Sequence, residues 1–216
     1  MVVELFKKYL VNKGKELKIE RRCYTEKRSL HWLDKFTHFE DIEFIQEREF
    51  LVAENFKFVE KFSFDNKDKR YAIAIGLNPA SATLDSIDKT THLVSNLFYK
   101  HQYGGFYLFN KYPDVSKFAI RRGTSAIRCH IDDVLRFLVS LENLSEFDVF
   151  IFWGSSEYIT IGLEKDLRVL QKKVNQLYTI GRGNIKHQHP SRSSKGTINF
   201  HTANLDSIKK NNHHLC

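Results

Sequence analysis

Two stretches hold the residue types that could do chemistry. The first is Gly76-Leu-Asn-Pro-Ala-Ser81, where Asn78 offers both halves of an amide on a chain that Gly76 lets turn and Pro79 stops from pairing onward. The second is His187-Gln-His-Pro-Ser-Arg-Ser-Ser-Lys-Gly196, which gathers His189, Ser191, Arg192, Ser193, Ser194 and Lys195 into one loop. Hydroxyls and backbone amides in a tight loop bind phosphate oxygens, and Arg and Lys add charge. An imidazole beside them can stabilise a developing anion. Taken singly, the first stretch reads equally as a turn in which Asn78 bonds its own backbone, and the second as a solvated basic loop.

Both stretches follow short apolar runs. Tyr71-Ala-Ile-Ala-Ile75 reads as a strand buried on both faces, and Phe106-Tyr-Leu-Phe-Asn110 as a second that ends, like the first, on a polar residue. Phe147 to Gly154 and Gln176 to Ile180 read as a third and a fourth. Between them the apolar spacing turns helical: Leu93, Val94, Leu97, Phe98 and His101 before Tyr103-Gly-Gly105, then Val134, Leu135, Leu138 and Leu141, then 163–174. Strands alternating with helices imply parallel pairing through right-handed crossovers. The fold class predicted is therefore α/β, three-layer α/β/α, with a central, mainly parallel four-stranded sheet. Asn78, Asn110, Gly154 and the loop after Ile180 then converge on the carboxyl lip, where such sheets bind ligands.

The N-terminal third is less regular. Residues 1–20 space Val2, Val3, Leu5, Phe6, Tyr9 and Leu10 as a basic amphipathic helix, and 21–48 show no clean period. Residues 49–64 alternate as two edge strands, with Asp65 to Arg70 as the turn into the first buried strand. Residues 181–204 read as loop, then briefly as helix from Asn204. Residues 1–69 are expected to be a helical and edge-strand extension packed on the same domain, and 70–216 the core.

The 216 residues suffice for one sizeable core, and 34 Lys and Arg against 26 Asp and Glu leave a formal charge of +8. That balance favours an anionic partner, nucleic acid first. Cys23, Cys129 and Cys216 lie far apart, which disfavours structural zinc or an iron–sulfur cluster and suits a reducing compartment. With no signal-peptide core and no membrane-length apolar run, a cytoplasmic monomer with no membrane partner is expected.

Gly76-Leu-Asn-Pro, the strand ending on Asn110, the strand ending Phe-Trp-Gly154 and His189-Pro-Ser occur in the order and spacing of the uracil-DNA glycosylase superfamily, which residues 70–208 resemble. Leu77, Asn78, Pro79, Asp88, Thr90, Tyr103, Gly104, Gly105, Asn110, Trp153, Gly154, His189 and Pro190 resemble more specifically a little-characterised bacterial and phage branch. The resemblance implies that Asn78 holds the attacking water and that His189 stabilises negative charge on the leaving base. It further implies that Asn110 reads the edge of a flipped base, with Leu77 also in the base pocket. Phe98 or Tyr112 would stack on the base. Ser191, Ser193 and Ser194 would grip DNA phosphates, and Arg192 would fill the emptied stack, with Lys195 adding charge. Ala80 stands where the strict uracil enzymes carry an aromatic shield against the pyrimidine 5-position.

The function expected on these grounds is a DNA glycosylase that excises a 5-modified pyrimidine, needing no cofactor or metal, with a role in phage defence as its extension. Two rivals stand beside it. One is a catalytically inactive glycosylase-fold protein that binds nucleic acid or nucleotide, and the other a hydrolase of free nucleosides or nucleotides.

Overall fold

In a computed structural model of the chain, residues 1–12, 16–23, 31–32, 44–53, 56–76, 84, 86–110, 125–152, 161–182, 198–203 and 205 are described. The elements run α1 (Val2–Val11), β1 (Lys18–Cys23), β2 (His31–Trp32), β3 (Ile45–Ala53), β4 (Phe56–Phe64), β5 (Tyr71–Gly76), β6 (Ser86–Ile87) and α2 (Lys89–Lys100). They continue with β7 (Gly105–Asn110), α3 (Ser125–Ser140), a 3-10 turn (Leu144–Glu146), β8 (Asp148–Ile151), α4 (Ile161–Lys173), β9 (Gln176–Arg182) and β10 (Ile198–Thr202).

The central four-stranded, mainly parallel sheet expected from sequence is not what forms. One mixed sheet of eight strands runs β1-β3-β4-β7-β5-β8-β9-β10, and β2 and β6 make a separate two-stranded parallel ribbon. Within the large sheet, β5 pairs in parallel with β7 and β8, and β8 with β9. The pairings β1–β3, β3–β4, β4–β7 and β9–β10 are antiparallel and outnumber them.

The physical reasons lie in three segments. The Phe-rich alternation of 45–64 forms a long hairpin whose second strand continues the sheet rather than edging it. Phe62 is the register partner of Phe106, and the two rings stack with centroids 4.5 Å apart. Lys18–Cys23 carries mostly charge and so lacks a readable period, yet it is a strand, not the tail of a helix. Its Arg21 lies 3.1 Å from Glu47 and 2.5 Å from Glu49 across the β1–β3 pair, so cross-strand charge complements the edge. Ile198–Thr202, expected as loop, closes the other edge against β9, with Ile198 and Ala203 turned inward.

The strands alternate two cores. Ile73, Ile75, Tyr107, Phe109, Val149, Ile151 and Leu177 face α1, α3 and α4, where Phe6, Val134, Leu138 and Leu170 are fully or nearly fully buried. Ala72, Ala74, Phe106, Leu108, Phe150, Phe152 and Ile180 face α2, with Val94, Leu97 and Phe98 against them. The alanines of β5 leave room for rings: Phe98 sits 4.8 Å from both Phe106 and Phe150. A β-bulge between Leu51 and Val52 breaks the alternation on β4, so that Phe58 and Val59 both enter the first core.

Candidate functional site

The parallel strands put their carboxyl ends side by side. Gly76, the last residue of β5, is the register partner of Asn110, the last of β7, while Ile75 pairs with Ile151 on β8. Alternation from Phe106 and Leu108 places the Asn110 side chain on the α2 side of the sheet, where Phe152 also lies. Asn110 is 2% exposed. A Cβ on residue 76 would stand 2.9 Å from Asn110 Oδ1 and 3.1 Å from the Phe152 ring, so glycine is needed here for close approach. Asn110 Nδ2 is buried and has no hydrogen-bond partner among the described residues. An unmatched buried donor costs about 1–3 kcal/mol.

The helix over that face contributes differently from what the sequence implies. Phe98, expected as one of two stacking aromatics, is fully buried among Tyr103, Phe106, Phe150 and Phe200 and offers no face to a ligand. Truncating such a ring costs about 3–5 kcal/mol, which makes it a core residue. Ser95, one turn earlier on α2, is fully buried, and its Oγ has no partner among the described residues. Its signal in the sequence is a hydroxyl on an otherwise apolar stripe of Val94, Leu97 and Phe98. Asp88 caps the helix: its Oδ1 accepts from the Thr90 and Thr91 amides, and its Oδ2 accepts from Thr91 Oγ1 at 2.6 Å.

The Tyr103-Gly104-Gly105 stretch sits at the opposite, amino end of the sheet and is architectural. Tyr103 Oη donates to Asp148 Oδ2 at 2.6 Å, and Asn175 Nδ2 donates to Asp148 Oδ1 at 2.7 Å. Burial first, and the adjoining carboxylate second, hold the Tyr103 phenol far above the usual range. Tyr107, on the other face, is pushed up to about 12, chiefly by burial. A Cβ on Gly104 would meet the Asp68 carbonyl oxygen, and one on Gly105 the Phe62 carbonyl oxygen, so the backbones themselves close the space.

One charged side chain carries no signal in the sequence at all. Arg48 on β3 is completely buried between the rings of Phe50 and Phe62, each 4.9 Å from its guanidinium carbon. It donates to the carbonyl oxygens of Ser86 at 2.7 Å and Leu84 at 3.1 Å, and faces Glu60 at 3.4 Å. Lys57 Nζ lies 3.6 Å from the other oxygen of Glu60. On the sequence the same arginine is one more charge in a run of polar and aromatic residues.

Of the site residues anticipated from sequence, Asn110 and Phe98 are among those described, Asn110 at the end of β7 beside Gly76 and Phe98 in the core. Leu77, Asn78, Ala80, Tyr112, Trp153, Gly154, His189, Ser191, Arg192, Ser193, Ser194 and Lys195 lie outside the described residues. Among the described residues no group of three or more His, Cys, Asp or Glu is arranged to hold a metal, and no helix is long and apolar enough to cross a membrane.

A mixed α/β sheet with a polar cradle where two parallel strands end is the class of protein these features define. The chain belongs to the DUF1643 family, described as a protein of unknown function, whose model matches residues 60–191. No curated protein matches the sequence. The matched segment takes in Asn78, Asn110 and His189 and leaves out β1 to β3, Arg48 and the strand β10.

Proposed function

We propose that the protein is a DNA glycosylase that takes a 5-modified pyrimidine out of the helix and hydrolyses its N-glycosidic bond. The observation that carries this reading is the buried, unmatched Asn110 amide beside Gly76, at the start of the Gly76-Leu-Asn-Pro stretch. A donor held out of water with no acceptor among the described residues suits recognition of a base edge, since pairing there replaces a penalty rather than a hydration shell. Asn78, the water-holding group of this scheme, follows by two residues in the chain the glycine that is the register partner of Asn110.

In the reaction, water attacks the deoxyribose C1′ as the C1′–N bond breaks, and the bonding pair leaves with the base. The water's proton is lost, and an abasic sugar with a C1′ hydroxyl remains. Asn78 orients the water, His189 donates to the oxygen of the departing base, and nearby phosphates stabilise the cationic sugar. The base must first leave the stack, at a cost of a few kcal/mol, and the +8 formal charge supports the grip on strained backbone. Ala80 removes the bulk that rejects a 5-substituent, and Ser81 and Thr83 supply hydroxyls for a polar one, so hydroxymethylated and glucosylated cytosine head the substrate list. A role against phage DNA is the extension of that choice.

The test is an alkaline-cleavage assay on matched duplexes bearing uracil, thymine, 5-hydroxymethylcytosine and its glucosylated form. Abasic product from a modified cytosine is expected, falling about 100- to 1,000-fold in Asn78→Ala and His189→Ala, the loss seen for one positioned donor. Salt-sensitive binding without product would instead make this an inactive glycosylase-fold binder of nucleic acid. Turnover of mononucleotides would make it a nucleoside or nucleotide hydrolase.

A further inference from the structure

The chain between Gly76 and Ser86 carries Leu77, Asn78 and Ala80, and both of its ends are fixed by observed contacts. The near end is the Gly76–Asn110 register pair. The far end is held twice by residues that precede the family-matched segment. Strand β2 pairs with β6, His31 opposite Ser86 and Trp32 opposite Ile87. Arg48 donates to the carbonyl oxygens of Ser86 and Leu84 from inside the β3–β4 hairpin, braced by Phe50, Phe62 and Glu60.

A buried guanidinium is a poor way to gain stability, because an apolar side chain of similar volume often does as well or better once desolvation is counted. What an apolar residue cannot do is hold two carbonyls in a set place. Nη1 donates to both carbonyls while Nη2 faces Glu60, and the guanidinium plane, sandwiched between two rings, has little freedom to lose in doing so. We infer that Arg48 is a positioning residue that fixes Leu84 and Ser86, the far anchor of the stretch carrying Asn78, which makes the β3–β4 hairpin a working part of the site. The inference rests on the role proposed for Asn78.

The experiment uses the full chain with Arg48→Met, which fills the volume without donors, and Arg48→Lys, which keeps the charge but not the fork. Leu51→Ala serves as the control, since Leu51 is fully buried on the other face of the same strand, in the first core. Hydrogen exchange is followed by mass spectrometry in peptides spanning 77–87 and 105–110, beside single-turnover excision at a temperature where all variants are folded. In Arg48→Met, exchange should rise about tenfold or more in 77–87 and stay unchanged in 105–110. Excision should fall about 10- to 100-fold, as for a modest misplacement of reacting groups. Arg48→Lys should lie between, and should decide the matter if the methionine variant does not fold. Leu51→Ala should lower the melting temperature yet excise at the parental rate. Unchanged exchange at 77–87 in the Arg48 variants, or equal loss of excision in Leu51→Ala, would overturn the inference. A parent that excises no base would sink the glycosylase reading, and the exchange comparison would still decide what Arg48 holds.

Discussion

Replacing Gly76 with alanine is the most informative single change, because the same substitution at three glycines has three different obstacles. At residue 76 the new methyl meets Asn110 Oδ1 at 2.9 Å and Phe152 ring carbons at 3.1 and 3.3 Å. Ordinary carbon contact lies about half an ångström further out, so the Asn110 amide must swing by about that much. Both obstacles are side-chain ends, which can move. Alanine also recovers about 0.5–1 kcal/mol of the entropy that glycine loses in a strand. The two terms nearly cancel, so the melting temperature should shift by less than about 4 °C, given about 2–4 °C per kcal/mol for a chain of this size. Base recognition should suffer far more, because a displacement of that order at a donor held in a close cradle costs about 10- to 100-fold in rate. At Gly104 and Gly105 the obstacles are backbone carbonyls: that of Asp68, in the turn whose Arg70 carbonyl accepts from the Gly104 amide, and that of Phe62, within the β4–β7 pairing. Those variants should lose several kcal/mol, at the upper end for single substitutions. Calorimetry and the excision assay on all three variants test the comparison. Gly76→Ala that excises at the parental rate, or that unfolds as readily as Gly104→Ala, would refute the placement of the site at Asn110.

Three further outcomes are expected. Tyr103 and Tyr107 keep their protons in the fold beyond the pH near 10 at which an unfolded chain begins to lose them, so the unfolded state binds fewer protons there. Stability should therefore be full below pH 10 and fall above it by about 1.4 kcal/mol per pH unit for each tyrosine, as denaturant titrations between pH 9 and 12 will read. Tyr103→Phe should cost about 1–3 kcal/mol at neutral pH, through the acceptor it leaves on Asp148, and should make the alkaline fall shallower. Asp88→Ala removes the acceptor of two backbone amides and one hydroxyl at the start of α2, and should cost about 1–2 kcal/mol in thermal melts without changing which base is recognised. Replacing Arg192 and Lys195 together by alanine should weaken DNA binding alike for all sequences and reduce the slope of log affinity against log salt by about one to two, measured by fluorescence anisotropy. An unchanged slope would make that loop a solvated surface.

The runs at 71–76, 105–110 and 148–151 are strands for a reason visible in one dimension: each is short, mostly apolar and bounded by glycine or polar residues, while 176–182 shows it only through Leu177, Tyr178 and Ile180. Asn110 was legible for the same reason, as a polar residue closing such a run. The sheet's extent was not. Whether Phe56–Phe64 edges the sheet or lies inside it depends on what β7 offers on its free side, and that side is settled by Phe62 stacking on Phe106. Lys18–Cys23 pairs through charges on β3, so its strand character resides in Glu47 and Glu49, far along the sequence. Phe98 illustrates the converse error. Its type and position suit a stacking platform, but its ring neighbours bury it, and they are not written in the spacing of a helix.

Arg48 shows where reading by type fails most completely. Local composition places an arginine in water, because a buried charge is expensive. The cost is offset by groups that converge only in three dimensions: a carboxylate twelve residues on, two aromatic rings, and two carbonyls more than thirty residues away. These partners lie on β3, on β4, on β6 and in the chain just before β6, so only the fold brings them together. The family-matched segment begins at residue 60, inside β4, whose residues 59–63 pair with β7. A boundary drawn there would divide the strand that completes β7 and separate Glu60 from Arg48. The working unit therefore reaches back to at least β3, and the hairpin belongs with the strand ends it helps to position.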